Sequence, residues 1–181
     1  MRKICKILAI LALFLGSVLS ITLIGSGGIL PYITKKNSIY FLLAKESDDS
    51  NINRWGPFAQ GSYKGEIPTQ TVAKKGSQEL MNVMSSRYLF NKISTTKYRC
   101  NKSFIINISD QGDRREIINR LDTEKRRLLS KKNQKKEFRW FSRGRLIKAI
   151  EHNEWWLDKN FKNRFRNCIP LLHKIKIITG E

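Results

Sequence analysis

Acidic residues are scarce in this chain of 181 residues, which has 15 Asp and Glu against 35 Lys and Arg. The resulting formal charge of +20 predicts attraction to polyanions such as nucleotides, nucleic acid or anionic lipid headgroups. The alternative is a solvated basic surface without a specific partner, because the basic residues are scattered as well as clustered. A composition of 40% hydrophobic and 28% charged residues excludes a disordered chain, and the length suits one globular domain.

Cysteine and histidine are also few, which argues against metal sites built from these residues. Cys5, Cys100 and Cys168 form no CxxC pair and have no metal-ligand spacing. Cys100 and Cys168 are either a disulfide pair, if the chain is exported, or two buried thiols. His152 and His173 have no neighbouring Cys or acidic pattern, so neither a zinc site nor a catalytic dyad is predicted.

The chain begins with a basic segment followed by an apolar run. Arg2, Lys3 and Lys6 precede the run of about 18 residues over 7–24. This pattern predicts a secretory signal peptide or a membrane anchor, and the alternative is a buried first element of the domain. The protein is then exported or membrane-anchored, or cytoplasmic if the segment is not a signal. We expect a domain over 25–175 and a tail over 176–181.

The remainder alternates between strand and helix patterns. Strands are predicted at 29–33 and 38–44 around a polar turn, and again at 104–108 and 137–141. A helix capped by Thr69 or Thr71 is predicted to run to about Met84. A basic helical region follows between 110 and 136, and a terminal helix begins at Gly144. Such a mixture in one small domain predicts a mixed α/β or α+β fold.

The segment 28–83 resembles the Nudix hydrolases. Ile29-Leu30-Pro31-Tyr32 and the strand that begins at Ile39 look like the opening strands of that family, and Trp55-Gly56-Pro57-Phe58 looks like its aromatic approach to a Gly-rich loop. Residues 60–82 keep the spacing of the Nudix signature, and the overall likeness extends over 28–172. The resemblance implies a Nudix-like α/β/α sandwich with a mixed sheet, preceded by an N-terminal apolar helix.

The family, as the resemblance implies, hydrolyses a nucleoside diphosphate linked to another group, using Mg²⁺ or Mn²⁺ held by carboxylates on one helix face. The matching positions are Lys75, Gln78 and Glu79, of which only Glu79 retains the family's Glu. Glu79 and Glu66 are the expected catalytic residues, and Glu79, Gln78 and Glu66 the expected metal ligands. Lys75 replaces a ligand, so a site with three negative charges becomes nearly neutral.

Other signature positions are partly kept. Gln60 stands at the family's first Gly, with Gly61 beside it, and Met81 stands at its last Gly. Lys74 replaces the Arg and can pair with Glu66 as a point charge. The expected phosphate-binding residues are Gly61, Lys64 and Lys74.

Two functions therefore follow from the sequence. The first is a weak pyrophosphohydrolase acting on a nucleotide-like diphosphate, and the alternative is an inactive Nudix-fold protein that binds a phosphate-rich ligand, nucleic acid or a partner. The densest basic tract runs from Lys125 to Arg145 and has Trp140, Phe141, Trp155 and Trp156 nearby. It is either a nucleic-acid surface or a solvated face with the tryptophans in the core or at the domain end. Residues 7–24 would provide membrane association.

Overall fold

The computed structural model describes residues 26–45, 53–62, 68–128 and 137–176. The predicted leader, the tail from 177 onward and the site residues Lys64 and Glu66 lie outside these ranges.

One mixed sheet of seven strands forms the centre of the described chain. The predicted strands are all confirmed, and shorter ones extend the sheet. The strands are β1 (Ser26–Lys35), β2 (Ser38–Lys45), β3 (Trp55–Gly56), β4 (Phe58–Ser62), β5 (Arg99–Cys100), β6 (Ser103–Asn107) and β7 (Phe138–Ser142). β1 pairs antiparallel with β2 and parallel with β6, while β7 pairs antiparallel with β2.

Strands β1 and β2 separate towards one end, and β3 and β4 lie between them. Ala44 pairs with Gly56 on one side and with Phe138 on the other, while Ile29 lies between Phe58 and Phe104. Both central strands are therefore paired on two sides. Central strands in a sheet that is covered on both faces have apolar side chains on both faces. This explains why the sequences of β1 and β2 are rich in consecutive apolar residues.

Helices cover both faces of the sheet. They are α1 (Pro68–Glu79), α2 (Ser86–Thr95), α3 (Arg114–Arg127), α4 (Arg143–Glu151), α5 (Lys159–Arg166) and α6 (Ile169–Lys174). Apolar residues of α1, α2 and α3 pack in one core and those of α4, α5 and α6 in the other. The odd- and even-numbered residues of β1 divide between these cores, as the two-residue period of a strand requires. The predicted mixed α/β class is thus confirmed.

Local capping explains where several helices begin. The Ser85 hydroxyl accepts a hydrogen bond from Tyr88 N at 3.2 Å at the start of α2. Asp113 and Glu116 form a reciprocal capping box at the start of α3, where the Asp113 carboxylate accepts from Glu116 N at 3.0 Å. The short helices α2, α5 and α6 were not predicted, and α4 is therefore not terminal. Their lengths of 10, 8 and 6 residues leave little periodicity to detect.

Helix α1 ends earlier than predicted, at Glu79 rather than near Met84. Asn82 N donates to Ser77 O at 2.8 Å and Met81 N donates to Gln78 O at 3.1 Å. These two bonds form a Schellman motif, in which Met81 occupies the left-handed position with φ of 54°. The apolar residues after Glu79 led to the prediction of a longer helix. In the structure they lie in a turn, and their side chains pack in the core.

A disulfide joins Cys100 in β5 to Cys168, which lies between α5 and α6. The sequence allowed either a disulfide pair or two buried thiols, and the structure has the disulfide pair. The bridge connects residues that are 68 positions apart and attaches the second helical layer to the edge of the sheet. Among the residues that the structure describes, no helix is both long enough and apolar enough to cross a bilayer.

Candidate functional site

Helix α1 presents its predicted site residues on the side turned away from the core. Val72, Ala73 and Gly76 pack inward, and a Cβ on Gly76 would lie only 2.4 Å from Ile29 Cδ1. The helix therefore lies close against β1. On the other side, Gln78 is exposed, and Lys75 and Glu79 are partly buried. The spacing of i, i+3 and i+4 brings these three residues onto one face, as the sequence predicted.

The surviving carboxylate of this face is hydrogen-bonded to a strand. Glu79 Oε2 accepts a hydrogen bond from Ala59 N at 2.9 Å. Ala59 is fully buried in β4, has a left-handed φ of 55°, and lies where the pairing of β4 with β1 shifts register. Glu79 therefore bonds to the backbone of β4 at the point where this strand is irregular. This hydrogen bond ties the end of α1 to the sheet.

The residues of this face do not fit a divalent-cation site of the family's type. Mg²⁺ and Mn²⁺ prefer several carboxylate oxygens, whereas the three positions supply an ammonium, an amide and one carboxylate. Within the described ranges, no group of three Asp, Glu, His or Cys residues is arranged to hold a metal ion. His152 and His173 are both exposed, one at the end of α4 and the other in α6.

The expected phosphate-binding residues occupy different places. Lys74 is exposed on α1. Gly61 lies in β4, where its backbone pairs with that of Gly27. Lys64 and Glu66 lie outside the described residues, as stated above, so the predicted Lys74–Glu66 pair stays a prediction.

A surface groove that the sequence did not predict lies beside the end of α1. It has a volume of about 460 Å³ and is lined by Met81, Asn82, Val83, Asn119, Arg120, Thr123, Glu124 and Arg127. The Arg120 guanidinium donates to Val83 O at 2.8 Å and to Gln111 O at 3.0 Å, which joins α3 to the turn after α1. The sequence contained one signal for the turn after α1. In the alignment that the Nudix resemblance implies, Met81 stands at the position of the signature's last Gly.

A charged network on the same face links α2 to the 3-10 turn Ser109–Gln111. The Tyr88 hydroxyl donates to Asp110 Oδ1 at 2.6 Å, and Lys92 Nζ lies 3.0 Å from Asp110 Oδ2. The pKa of Tyr88 is raised, mainly because its hydroxyl is buried and secondly because it is hydrogen-bonded to Asp110. Partial burial also acts to raise the pKa of Asp110, but the hydrogen bonds from Tyr88 and Lys92 outweigh it, so this pKa lies below its usual value.

The described parts of the basic tract do not form one surface, because they lie on the two faces of the sheet, before and after β7. Residues 129–136 of the tract lie outside the described ranges. Lys125, Arg126 and Arg127 end α3 on the face covered by α1, α2 and α3, which we call the first face. Arg143 and Arg145 belong to α4 on the second face, which α4, α5 and α6 cover. Arg143 Nη1 donates to Ile175 O at 3.0 Å, and the Arg145 guanidinium lies 5.6 Å from the Trp156 ring centroid. Arg143 therefore connects α4 to the residue after α6, and Arg145 packs against the Trp156 ring.

Three of the four tryptophans pack into the structure, and one does not. Trp140 Nε1 donates to Arg114 O at 3.0 Å, and the Trp156 ring stacks on Phe141 with centroids 5.1 Å apart. Trp55 is buried, whereas Trp155 has a relative exposure of 75%. Of the two positions predicted for the tryptophans, the core or the domain end, the core is therefore excluded for Trp155.

Comparison of the chain with protein-family models, with curated proteins and with solved structures gives no match in any of the three.

Proposed function

We propose that this domain is a Nudix-like protein that binds a phosphate-rich ligand on the outward face of α1 and has lost efficient hydrolysis. The observation that carries the proposal is the charge of this face. Lys74 and Lys75 bring two cations to it, while the one carboxylate, Glu79, accepts a hydrogen bond from Ala59 N at 2.9 Å. An ammonium attracts a phosphate directly, so binding of this kind needs no bridging metal ion.

The backbone conformation at position 81 supports the Nudix part of the proposal, although the residue there is Met and not the Gly of the signature. The signature's last Gly falls on Met81, whose φ of 54° is the conformation that glycine adopts without strain. A helix that ends in a Schellman motif needs a left-handed residue at this point. The spacing of the signature and the end of α1 therefore agree, although the letter at position 81 has changed.

The test is a calorimetric titration of the full chain, in detergent, with inorganic pyrophosphate in the presence of EDTA. Lys74→Ala with Lys75→Ala should weaken binding by at least tenfold, because two favourable charges are removed. The matched control is Lys148→Ala with Lys159→Ala, which removes two exposed lysines from the helices of the opposite face. Equal losses in both variants would mean that net charge rather than this face binds the ligand.

A second titration tests the resemblance itself. Lys75→Glu with Gln78→Glu restores three carboxylates on one face and should raise Mn²⁺ affinity by orders of magnitude if α1 has the family's geometry. No gain in Mn²⁺ binding would show that the Nudix alignment of this helix is wrong, whatever the pyrophosphate result.

Retention of Glu79 favours a second candidate, a weak metal-dependent pyrophosphohydrolase to which Glu66 also contributes. Turnover of a nucleotide panel at high Mn²⁺ that disappears in Glu79→Gln would support this candidate over the binding protein. The Glu79→Gln side chain still offers an oxygen to Ala59 N, so its fold should be retained. Absence of turnover in the wild type would leave the binding function.

A further inference from the structure

One turn on the second face presents an apolar side chain to solvent. We call residues 152–158 the Trp155 turn. Within the described ranges, Trp155 is the one large hydrophobic residue that is strongly exposed, at 75%. A single exposed hydrophobic residue is ordinary on a protein surface, so the position of Trp155 in the fold decides what it can contact. The proposal that follows is independent of the phosphate-binding function.

The Trp155 turn is held rigidly on both sides of the tryptophan. Lys162, whose relative exposure is 6%, donates from Nζ to Asn153 O at 3.1 Å and to Glu154 O at 2.8 Å. On the other side, the ring of Trp156 stacks on Phe141. Its carbonyl accepts from Trp55 N at 2.8 Å. Trp155 is therefore exposed by a fixed backbone and not by fraying of a loop.

Strand register places this turn at a particular end of the sheet. β1 and β2 are antiparallel, so the first residue of β1, Ser26, lies at the same end as the last residue of β2, Lys45. Lys45 pairs with Trp55, and Trp55 is hydrogen-bonded to both Trp156 and Asp158. We call this the entry end, because the chain enters the sheet here. The Trp155 turn belongs to it.

The entry end is also where the apolar run reaches the domain. The run ends at Ile24, and only Gly25 separates it from Ser26 in the sequence. If the run lies in a bilayer, one residue leaves little room between the bilayer and the start of β1, since each residue spans at most about 3.6 Å. The entry end, with Trp155, then faces the lipid surface.

We infer that Trp155 and the entry end form a contact surface for an anionic lipid bilayer. Tryptophan favours the interface between hydrocarbon and water, because its ring is apolar and its indole N–H is polar. The charge of Arg54 acts on Lys162 beneath the turn, and the Arg139 guanidinium lies 5.2 Å from the Trp55 ring centroid. Glu151 and Glu154 add local negative charge. The attraction to anionic lipid therefore comes from the net charge of +20 over the whole chain.

Single-stranded nucleic acid is the competing partner for an exposed tryptophan near arginines. The disulfide between Cys100 and Cys168 favours the membrane, because disulfides persist in oxidising compartments outside the cytosol. The position of Trp155 beside the apolar run favours it as well.

The test uses the full chain reconstituted into phosphatidylcholine vesicles with and without phosphatidylglycerol, with part of the lipid brominated to quench tryptophan emission. We expect strong quenching that increases with phosphatidylglycerol, and loss of most of it in Trp155→Phe. The matched control is Trp140→Phe, which removes a partly buried tryptophan on the first face and should keep the quenching.

Equal bromolipid quenching in Trp155→Phe and the wild type would overturn the proposal. So would quenching of Trp155 emission by a single-stranded oligonucleotide that exceeds the quenching by brominated lipid. Circular dichroism of Trp155→Phe should match that of the wild type, because an exposed ring contributes little to the core.

Discussion

Helices α1 and α4 lie on opposite faces of the sheet and end in the same hydrogen-bonding motif, yet with different residues at its left-handed position. After α4, Asn153 has a φ of 56° and is exposed, and Glu154 N donates to Ala149 O at 2.9 Å. After α1, the corresponding residue is Met81, which is buried with 2% relative exposure. Asparagine tolerates this conformation well, whereas methionine adopts it at a cost.

The difference shows two ways of ending a helix. At α4, the local preference of Asn153 is enough to turn the chain, and the side chain is free of core packing. At α1, the burial of the Met81 side chain outweighs the backbone preference, because a fully buried methionine contributes about 2 kcal/mol or more. Local backbone preference thus determines the turn after α4, which presents Trp155. Core packing determines the turn after α1, which borders the groove.

The two faces also differ in covalent attachment, and removing the bridge should have the largest effect. Cys100→Ser with Cys168→Ser should lower the free energy of unfolding by about 4 kcal/mol, because the bridge closes a long loop in the unfolded chain. Urea denaturation measures the change. Cys5→Ser, outside the described residues, serves as the control and should leave the unfolding midpoint unchanged.

Substitutions at the two left-handed positions test the comparison directly. Met81→Ala should lower the free energy of unfolding by about 3 kcal/mol, because a buried side chain is lost. Met81→Gly should be about 1 kcal/mol more stable than Met81→Ala, since glycine removes the backbone strain. Asn153→Ala should cost about 1 kcal/mol, and Asn153→Gly almost nothing. If Met81→Gly were less stable than Met81→Ala, the contrast between the turns would fail.

The buried lysine beneath the Trp155 turn gives a smaller expected effect. Lys162→Met removes two hydrogen bonds to backbone carbonyls and should cost about 2 kcal/mol, partly offset because a buried ammonium is also removed. Burial, followed by the charge of Arg54, lowers the pKa of Lys162. Amide hydrogen exchange of Glu154 should accelerate in this variant. Lys159→Met, at an exposed position of α5, should change neither measurement.

The ion pair on the first face should have the smallest effect, because the Asp110 side chain is 52% exposed. The pKa of Asp110 is lowered in the folded chain, so its contribution is present above the unfolded pKa of about 4 and disappears as pH falls through the folded value. Asp110→Asn should lower stability at neutral pH by under about 1 kcal/mol and remove this acid-dependent part. A wild type and variant with parallel stability profiles below pH 4 would contradict the assignment.

The sequence predicted the long elements because each has a period or a cap that acts locally. β1 and β2 are apolar on both faces, and the N-caps Asp113 and Ser142 precede the first residues of α3 and α4. The helix face with Lys75, Gln78 and Glu79 followed from spacing alone. The hydrogen bond between Glu79 and Ala59 N could not be predicted, because it joins residues 20 positions apart through an irregular strand.

By itself, the sequence determined the mixed class of the fold, four of the seven strands of the central sheet and the presence of a single carboxylate among Lys75, Gln78 and Glu79, because periodicity and residue identity are local properties. Only the tertiary structure decided where α1 ends, that Cys100 and Cys168 meet, and that the described parts of the basic tract lie on both faces of the sheet. It also decided that three tryptophans are covered while Trp155 is exposed. Each of these depends on contacts between distant segments, which a linear pattern does not contain.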